Sequence, residues 1–188
     1  MEIKNIITDY TNDIKALCDA LDRDSLEAAL LMIKDTYLSG HQLFVAGNGG
    51  SAGTANHFSC DFSKNAVKDQ TKKPHLITLS SNVAYITAIG NDITFDAIFE
   101  EQLKNLMNDG DTVILISASG NSPDIIRAAE YAKSRGGKII GFTGFSGGKL
   151  KEISDVCVNV AIDSYEKVED LHMIFTHIIV CYFKTLGY

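Results

Sequence analysis

Residues 42–52 read QLFVAGNGGSA, a short apolar run followed at once by glycines and a serine. A run of four to eight apolar residues bounded by turn formers is typical of a buried strand. The same pattern recurs at residues 112–123, where TVILIS is followed by ASGNSP. Each stretch therefore predicts a buried strand, then a loop rich in hydrogen-bond donors, then the start of a helix.

The rest of the chain alternates in the same way. Three more short apolar runs predict strands at 75–79, 138–142 and 156–160. Apolar residues at helical spacing predict helices in the stretches between the strands and at both ends, at 1–40, 51–62, 83–107 with a break near Asn91, 124–134, 149–153 and 166–186. Strands alternating with helices predict one α/β domain over residues 1–188, with a parallel sheet covered on both faces.

The charge and composition of the chain argue against several classes of binding partner. The formal net charge is −7, which argues against nonspecific binding to nucleic acid or to anionic membranes. No apolar run approaches the roughly 18 residues of a transmembrane helix, and the polar, acidic N-terminus lacks the apolar core of a signal peptide. The four cysteines form no CxxC pair and suggest no disulfide framework. We therefore expect a cytoplasmic protein without a membrane or nucleic-acid partner.

The two donor-rich loops predict a ligand site. In parallel α/β sheets, ligands bind at the carboxyl ends of the strands, where backbone N–H groups and hydroxyls can hold a phosphate without a fixed cation. Each loop has a plainer explanation as well, because Ser51 and Ser122 could simply cap the helices that follow. Two such loops in one sheet favour a shared phosphate or sugar site, formed by Asn48, Gly49, Gly50, Ser51, Ser117, Ser119 and Ser122.

A second set of residues could carry chemistry. His57 and Asp61 lie at i and i+4 on one face of a predicted helix, and the last helix carries Glu169, Asp170, His172 and His177. Carboxylates with imidazoles suit a divalent metal or an acid–base pair, although solvated helix surfaces also carry such residues. Glu169 and His177 are about 12 Å apart along an ideal helix. They can therefore share a metal only if both side chains reach toward it, or they belong to sites of different subunits.

The motifs together resemble a known family. GNGGSA before His57, AIGND at 88–92, SASGNS at 117–122 and VEDLHMIFTH at 168–177 are similar to the phosphoheptose isomerases of the sugar isomerase (SIS) superfamily. The resemblance implies an SIS-type three-layer sandwich, Rossmann-like or flavodoxin-like, with a five-stranded parallel sheet. It also implies an N-terminal helical arm, residues 1–40, and a homotetramer with sites between subunits. In that arm, Ile14, Leu17 and Leu21 are more apolar than a lone surface helix needs, and we expect them to pack against a neighbouring subunit.

The resemblance implies an activity and its residues. The activity is conversion of sedoheptulose 7-phosphate to D-glycero-D-manno-heptose 7-phosphate through an enediol(ate), for bacterial surface heptose and lipopolysaccharide biosynthesis. The implied ligands of the substrate are Asn48, Gly49, Gly50, Ser51, Asp92, Ser117, Ser119, Ser122 and Glu169. The implied ligands of one zinc per subunit are His57, Asp61, Glu169 and His177. Asp61 would act as the base and His177 as the acid.

Departures from the family pattern leave two alternatives open. The family usually has Glu where this chain has Asp61, Gln where it has Glu169 and Thr where it has Ala118. Gly-Arg commonly stands where this chain has Ser63-Lys64, and Asp and His stand where it has Asn82 and Tyr85. An isomerase for another sugar phosphate is therefore one alternative. The other is a non-catalytic binding module of the DnaA initiator-associating type. That branch, however, lacks an acidic residue at the position of Asp61 and a histidine at the position of His177.

Overall fold

A computed structural model describes residues 2–187 of the chain. Its centre is a five-stranded, fully parallel sheet in the order β2-β1-β3-β4-β5. The strands are β1 Leu43–Gly47, β2 Leu76–Thr78, β3 Thr112–Ser117, β4 Lys138–Gly144 and β5 Val156–Val160. All five predicted strands are confirmed, and two of them, β3 and β5, have the predicted bounds.

Helices cover both faces of this sheet. Among the described residues they are α1 Ile3–Asp19, α2 Arg23–Leu38, α3 Gly49–Asn65, α4 Val83–Asp92, α5 Glu100–Leu106, α6 Pro123–Ser134, α7 Gly148–Ile153 and α8 Tyr165–Leu186, with 3-10 turns at Gln70–Lys72 and Phe95–Ala97. The break predicted near Asn91 is present, since α4 ends at Asp92 and α5 begins after the second 3-10 turn. The predicted three-layer α/β sandwich is confirmed.

The alternation of strand side chains creates two cores. Residues such as Val45 and Ile114 face α2, α3 and α8, whereas their neighbours Phe44 and Val113 face α4 to α7. Phe62 of α3 and Phe183 of α8 are fully buried in the first core, with ring centroids 4.8 Å apart in an edge-to-face arrangement. Burying one such side chain stabilises the fold by about 1.5 to 3 kcal/mol. This packing fixes α3 against α8.

The apolar face of the N-terminal arm contacts its own chain. Ile14, Leu17 and Leu21 are half-buried against the first core, which accounts for part of their apolar surface, and their contact with a neighbouring subunit stays a prediction. The amphipathic pattern was correct about a buried face but could not say which surface covers it. The exposed apolar side chains of α1 are instead Ile3, Ile6 and Ile7, with relative exposures of 77%, 51% and 59%.

The strand order locates the expected ligand site. β1 lies between β2 and β3, so the chain leaves β1 toward one edge of the sheet and later returns to build toward the other. Ligands of open parallel sheets bind at this point of reversal, outside the carboxyl ends of the strands. The loops that follow β1 and β3 are the two donor-rich loops of the sequence. Within residues 2–187, no helix is both long enough and apolar enough to span a bilayer.

Candidate functional site

The two donor-rich loops meet in one pocket. β1 and β3 are paired in register with Gly47 opposite Ile116, so the loops after them leave the sheet side by side. Between them lies a pocket of about 160 Å³, lined by Asn48, Ser51, Ile116, Ser117, Ala118, Ser119, Ser122, Tyr165 and Glu169. This volume is below the roughly 300 Å³ at which drug-sized ligand pockets begin, so the pocket can take the phosphate end of a sugar phosphate but not the whole molecule.

The glycine loop brings α3 and α8 into close contact. Gly49 has a φ of +52°, which a residue with a side chain rarely adopts. A Cβ atom added at Gly50 would lie 2.2 Å from the Oε2 atom of Glu169. Glycine at this position therefore lets the Glu169 carboxylate lie directly on the first turn of α3.

The serine loop holds its hydroxyls by local hydrogen bonds, including one between the Oγ atoms of Ser117 and Ser122, 3.3 Å apart, in which one of the two hydroxyls donates to the other. Ser117 Oγ accepts a hydrogen bond from the Gly120 N–H at 3.2 Å, and Ser119 Oγ accepts one from the Asn121 N–H at 3.2 Å. A hydroxyl that accepts from the backbone still has its own O–H to donate. A Cβ atom at Gly120, which has a φ of +65°, would lie 1.9 Å from the Gly147 carbonyl oxygen, so only glycine permits this loop conformation. The loop therefore presents preorganised hydroxyl donors to an anion.

The pocket contains no basic side chain among the described residues that line it. Its one carboxylate is Glu169, whose pKa is raised first by burial and then by the neighbouring carboxylates of Glu166 and Asp170. The groups in the pocket that could attract an anion are therefore hydroxyls and backbone N–H groups; the phosphate site stays a prediction.

Three of the predicted metal ligands converge elsewhere on the same pair of helices. The Nε2 atoms of His57 and His177 are 2.9 Å apart, and the His57 Nε2 atom is 3.5 Å from Asp61 Oδ2. One ligand atom from each of these three residues lies within 4.8 Å of the other two. The His57 and Asp61 side chains are 43% and 30% exposed, so a substrate could reach them from solvent. We call His57, Asp61 and His177 the ligand trio.

The ligand trio and the pocket lie along one groove between two parallel helices. Glu169 contacts Gly50, His177 contacts His57, and Phe183 packs on Phe62 further along, so α3 and α8 run in the same direction. Gly50 and His57 are separated by two turns, about 10 Å along an ideal helix. The two parts of the site are therefore adjacent but distinct.

The structure brings together most of the predicted site. Six predicted substrate ligands line the pocket, namely Asn48, Ser51, Ser117, Ser119, Ser122 and Glu169, and Gly49 and Gly50 form the turn beneath it. Asp92 does not join them within one chain; it is exposed at the end of α4 and accepts a hydrogen bond from Asn91 Nδ2 at 2.7 Å. Glu169 lies in the pocket and outside the ligand trio. The substrate role of Asp92 and the metal role of Glu169 remain predictions.

His172, the histidine nearest Glu169 in sequence, is available neither to the pocket nor to the ligand trio. It is fully buried, its Nε2–H donates to the Thr143 carbonyl oxygen at 3.1 Å, and Nδ1 has no partner within residues 2–187. Burial lowers the pKa of His172 to about 4, so the ring is neutral at pH 7. Its role is in the core, where it packs beside Phe142 and Phe175.

Two residues of the site were missed from the sequence. Tyr165 lines the pocket, and its ring packs edge-to-face on Phe145 at 4.9 Å. Phe145 has a φ of 51°, a strained conformation for a bulky residue and one that is frequent near functional sites. Asp124 is buried behind the pocket and accepts a hydrogen bond from Asn48. The position of Tyr165 four residues before Glu169 was the available signal, because such residues share a helix face.

A larger cavity lies at the opposite end of the sheet. Its volume is about 450 Å³, and its lining includes Tyr37, His41, Lys72 and His75. His41 lies two residues before β1 and His75 directly precedes β2, so this cavity is at the amino ends of the strands. The strand-end rule therefore favours the smaller pocket as the functional site.

The chain is similar to known proteins in both sequence and fold. The family model of the SIS domain matches residues 9–144. The phosphoheptose isomerase of Aliarcobacter butzleri is 35% identical over 157 residues, which are 84% of this chain and 82% of the relative. That of Colwellia psychrerythraea is 35% identical over 181 residues, 94% of this chain and 90% of the relative. The structure of a phosphoheptose isomerase from Francisella tularensis superposes with a TM-score of 0.87 at 29% identity, covering 98% of this chain and 100% of that one.

Proposed function

The chain belongs to the phosphoheptose isomerases, a family of SIS-domain proteins, and we propose that it interconverts sedoheptulose 7-phosphate and D-glycero-D-manno-heptose 7-phosphate. One observation of the site carries this proposal: a phosphate-sized pocket lies one sugar length from a cluster of two imidazoles and a carboxylate. Proteins that share this fold differ in function, so the residues of the site decide the function.

The distance between the pocket and the ligand trio matches the length of the substrate. An extended heptose 7-phosphate measures about 10 Å from phosphorus to C1, because each bond of about 1.5 Å advances the chain by about 1.25 Å. The pocket and the ligand trio are separated by a similar length along α3. With its phosphate held by Ser117, Ser119 and Ser122, the sugar would place C1 and C2 beside Asp61 and His177.

An aldose–ketose isomerisation moves protons between neighbouring atoms. We assign Asp61 as the base that takes a proton from C1 of the ketose, while the electrons shift to the C2 oxygen, which His177 protonates. Return of a proton to C2, with loss of the proton on the C1 oxygen, gives the aldose. Positioned acid and base groups typically contribute about 10² to 10⁴ in rate.

The ligand trio also fits a catalytic zinc site. Two histidines and one carboxylate with an open fourth position form a common donor set for catalytic zinc, and one ligand atom from each of the three residues lies within 4.8 Å of the other two. One zinc per subunit, when bound, would supply a Lewis acid that polarises the substrate oxygens. Glu169 would join as a further ligand only by leaving its contact with Gly50.

The proposed setting is bacterial surface heptose and lipopolysaccharide biosynthesis in the cytoplasm. The substitutions at Asp61 and Glu169 bear on the choice of sugar phosphate: the shorter carboxylate lies further from the substrate, and Glu169 adds a negative charge to the pocket. An isomerase for a different sugar phosphate would share the phosphate site, so the assay must compare substrates.

Purified protein incubated with sedoheptulose 7-phosphate is expected to form the aldose, because the proposed site would hold both the phosphate and the reacting carbons. Appearance of the aldose can be followed by chromatography or NMR, with other ketose phosphates in parallel. Conversion of another ketose phosphate alone would reassign the substrate. No conversion of any of them would favour the binding-module alternative.

We also infer a homotetramer, as the family resemblance implies. Beside His177 lies an apolar groove of about 490 Å³, lined by Leu30, Ile174, His177, Ile178, Cys181, Tyr182 and Thr185. Together with Ile3, Ile6 and Ile7 of α1, this groove offers an apolar surface that a second copy would cover. Light scattering at micromolar concentration is expected to give four times the chain mass of 20.5 kDa. A monomer mass would contradict the assembly.

A further inference from the structure

A buried carboxylate supports the wall of the phosphate pocket. Asp124, the second residue of α6, is only 2% exposed. Its Oδ2 atom accepts a hydrogen bond from Asn48 Nδ2 at 2.7 Å. Burial raises the pKa of Asp124, and the nearby negative charge of Asp96 adds to the rise, while the hydrogen bonds from Asn48 and from the backbone N–H groups of Asp124 and Ile125 oppose it. Every group that contacts the carboxylate in these hydrogen bonds is therefore a donor.

Such an environment determines the orientation of the Asn48 side chain. A carboxylate among donors can only accept, so the amide must turn its NH₂ group toward Asp124. The carbonyl oxygen is the opposite end of the same amide, and Asn48 lines the pocket. An acceptor at this place cannot bind a phosphate dianion, whose oxygens are also acceptors, but it can accept a hydrogen bond from a hydroxyl.

We propose that Asp124 is a positioning residue that holds the Asn48 carbonyl oxygen toward a hydroxyl group of the substrate. Two parts of the pocket then bind different parts of the substrate. The serine loop binds the phosphate, and the pair of Asn48 and Asp124 recognises the polyhydroxylated carbon chain that is attached to the phosphate. This inference rests on the proposed function, because it requires a sugar phosphate as the ligand.

A purely structural role for Asp124 is the competing explanation. Acidic residues in the first turn stabilise helices through the backbone N–H groups and the helix dipole, and Asp124 has that position in α6. A structural role predicts that loss of the charge lowers stability and weakens all ligands together. A positioning role predicts a selective loss for ligands that carry hydroxyl groups.

The discriminating variant is Asp124→Asn, which keeps the shape but can pair with either end of the Asn48 amide. We expect KM for sedoheptulose 7-phosphate to rise about tenfold, the usual size of one lost hydrogen bond, with kcat changed less than KM. Inhibition by inorganic phosphate should keep its wild-type constant within about twofold, because the serine loop is intact. Ser119→Ala should instead weaken both sedoheptulose 7-phosphate and inorganic phosphate.

A double-mutant cycle tests whether the two residues act as one. Asn48→Ala alone should reproduce the loss for sedoheptulose 7-phosphate, and adding Asp124→Asn should cost little more, because the positioned group is already gone. Asp111→Asn is the matched control: Asp111 is also buried and accepts from the backbone N–H groups of Gln42 and Asn108, but it lies at the other end of the sheet. It should lower the melting temperature and leave KM unchanged.

Several results would overturn the inference. An unchanged KM in Asp124→Asn, an equal loss for inorganic phosphate, or additive effects in the cycle would each assign Asp124 a structural role. If Asp124→Asn does not fold, Asn48→Ala decides alone, and equal weakening of sugar phosphate and inorganic phosphate would refute the hydroxyl contact. A wild type that neither binds nor converts sedoheptulose 7-phosphate would overturn the proposed function as well, whereas an active wild type with an unaffected Asp124→Asn variant overturns only this inference.

Discussion

Replacing His177 or Asp61 with asparagine is expected to lower kcat by at least about 10²-fold, the usual contribution of a positioned acid or base. Asparagine keeps polarity and approximate size but cannot exchange a proton at neutral pH. KM should change less, because the phosphate contacts lie about two turns away along α3. Steady-state kinetics with sedoheptulose 7-phosphate measure both constants.

Two further variants make this expectation sharper. The double replacement should lose little more than either single one, because acid and base act as a unit on one enediol. His75→Asn is a matched control, since His75 is exposed and lies at the opposite end of the sheet. Full activity in the His177 or Asp61 variants would show that the assigned proton transfers belong to other groups.

Asp61→Glu tests the departure from the family pattern. The longer carboxylate should raise activity on sedoheptulose 7-phosphate if Asp61 is simply too short for that substrate. If the shorter side chain serves a different sugar phosphate, the same change should reduce conversion of that other substrate. Comparing the two substrates in one assay separates these outcomes.

Local sequence patterns were sufficient for the fold and the phosphate pocket. Strand runs such as 112–117 are apolar on both faces, which only a sheet covered by helices can satisfy. Once the strands are parallel, their carboxyl ends share one edge, so the loops at Asn48 and Ser117 lie along the same edge of the sheet. That they are neighbours follows from the pairing of β1 with β3, which the structure shows and the sequence did not specify. These inferences needed no knowledge of how the helices pack.

Helix packing was the information that the sequence lacked. The position of Glu169 depends on how closely α8 approaches α3, which Gly50 permits by having no side chain. The surface that covers Leu17 is decided by the docking of the arm, which a periodic pattern cannot specify. Asp124 was missed from the sequence, because its contact with Asn48 joins residues 76 positions apart. The position of Asp92 relative to the pocket likewise depends on elements that are distant from it in sequence, so the sequence could not specify it.

Removal of metal is expected to abolish most of the activity. The ligand trio places two imidazole nitrogens 2.9 Å apart beside a carboxylate, an arrangement that can be either a hydrogen-bonded pair or a cation site. If it is a cation site, gentle purification should yield protein with up to one zinc per chain by elemental analysis. Chelation should then reduce kcat, and added zinc or manganese should restore it.

Ligand variants identify which side chains hold that metal. His57→Ala should weaken metal binding by more than about 100-fold, since even changes to outer groups around a metal site cost 10- to 100-fold. Glu169→Gln distinguishes two possible sets of metal ligands. Unchanged metal content means that the ligand trio is sufficient. A loss of metal comparable to that of His57→Ala means that Glu169 leaves its contact with Gly50 to become the fourth ligand. Protein that contains no metal and is unaffected by chelator would identify the His57–His177 contact as a hydrogen bond. Catalysis would then depend on Asp61 and His177 without a metal.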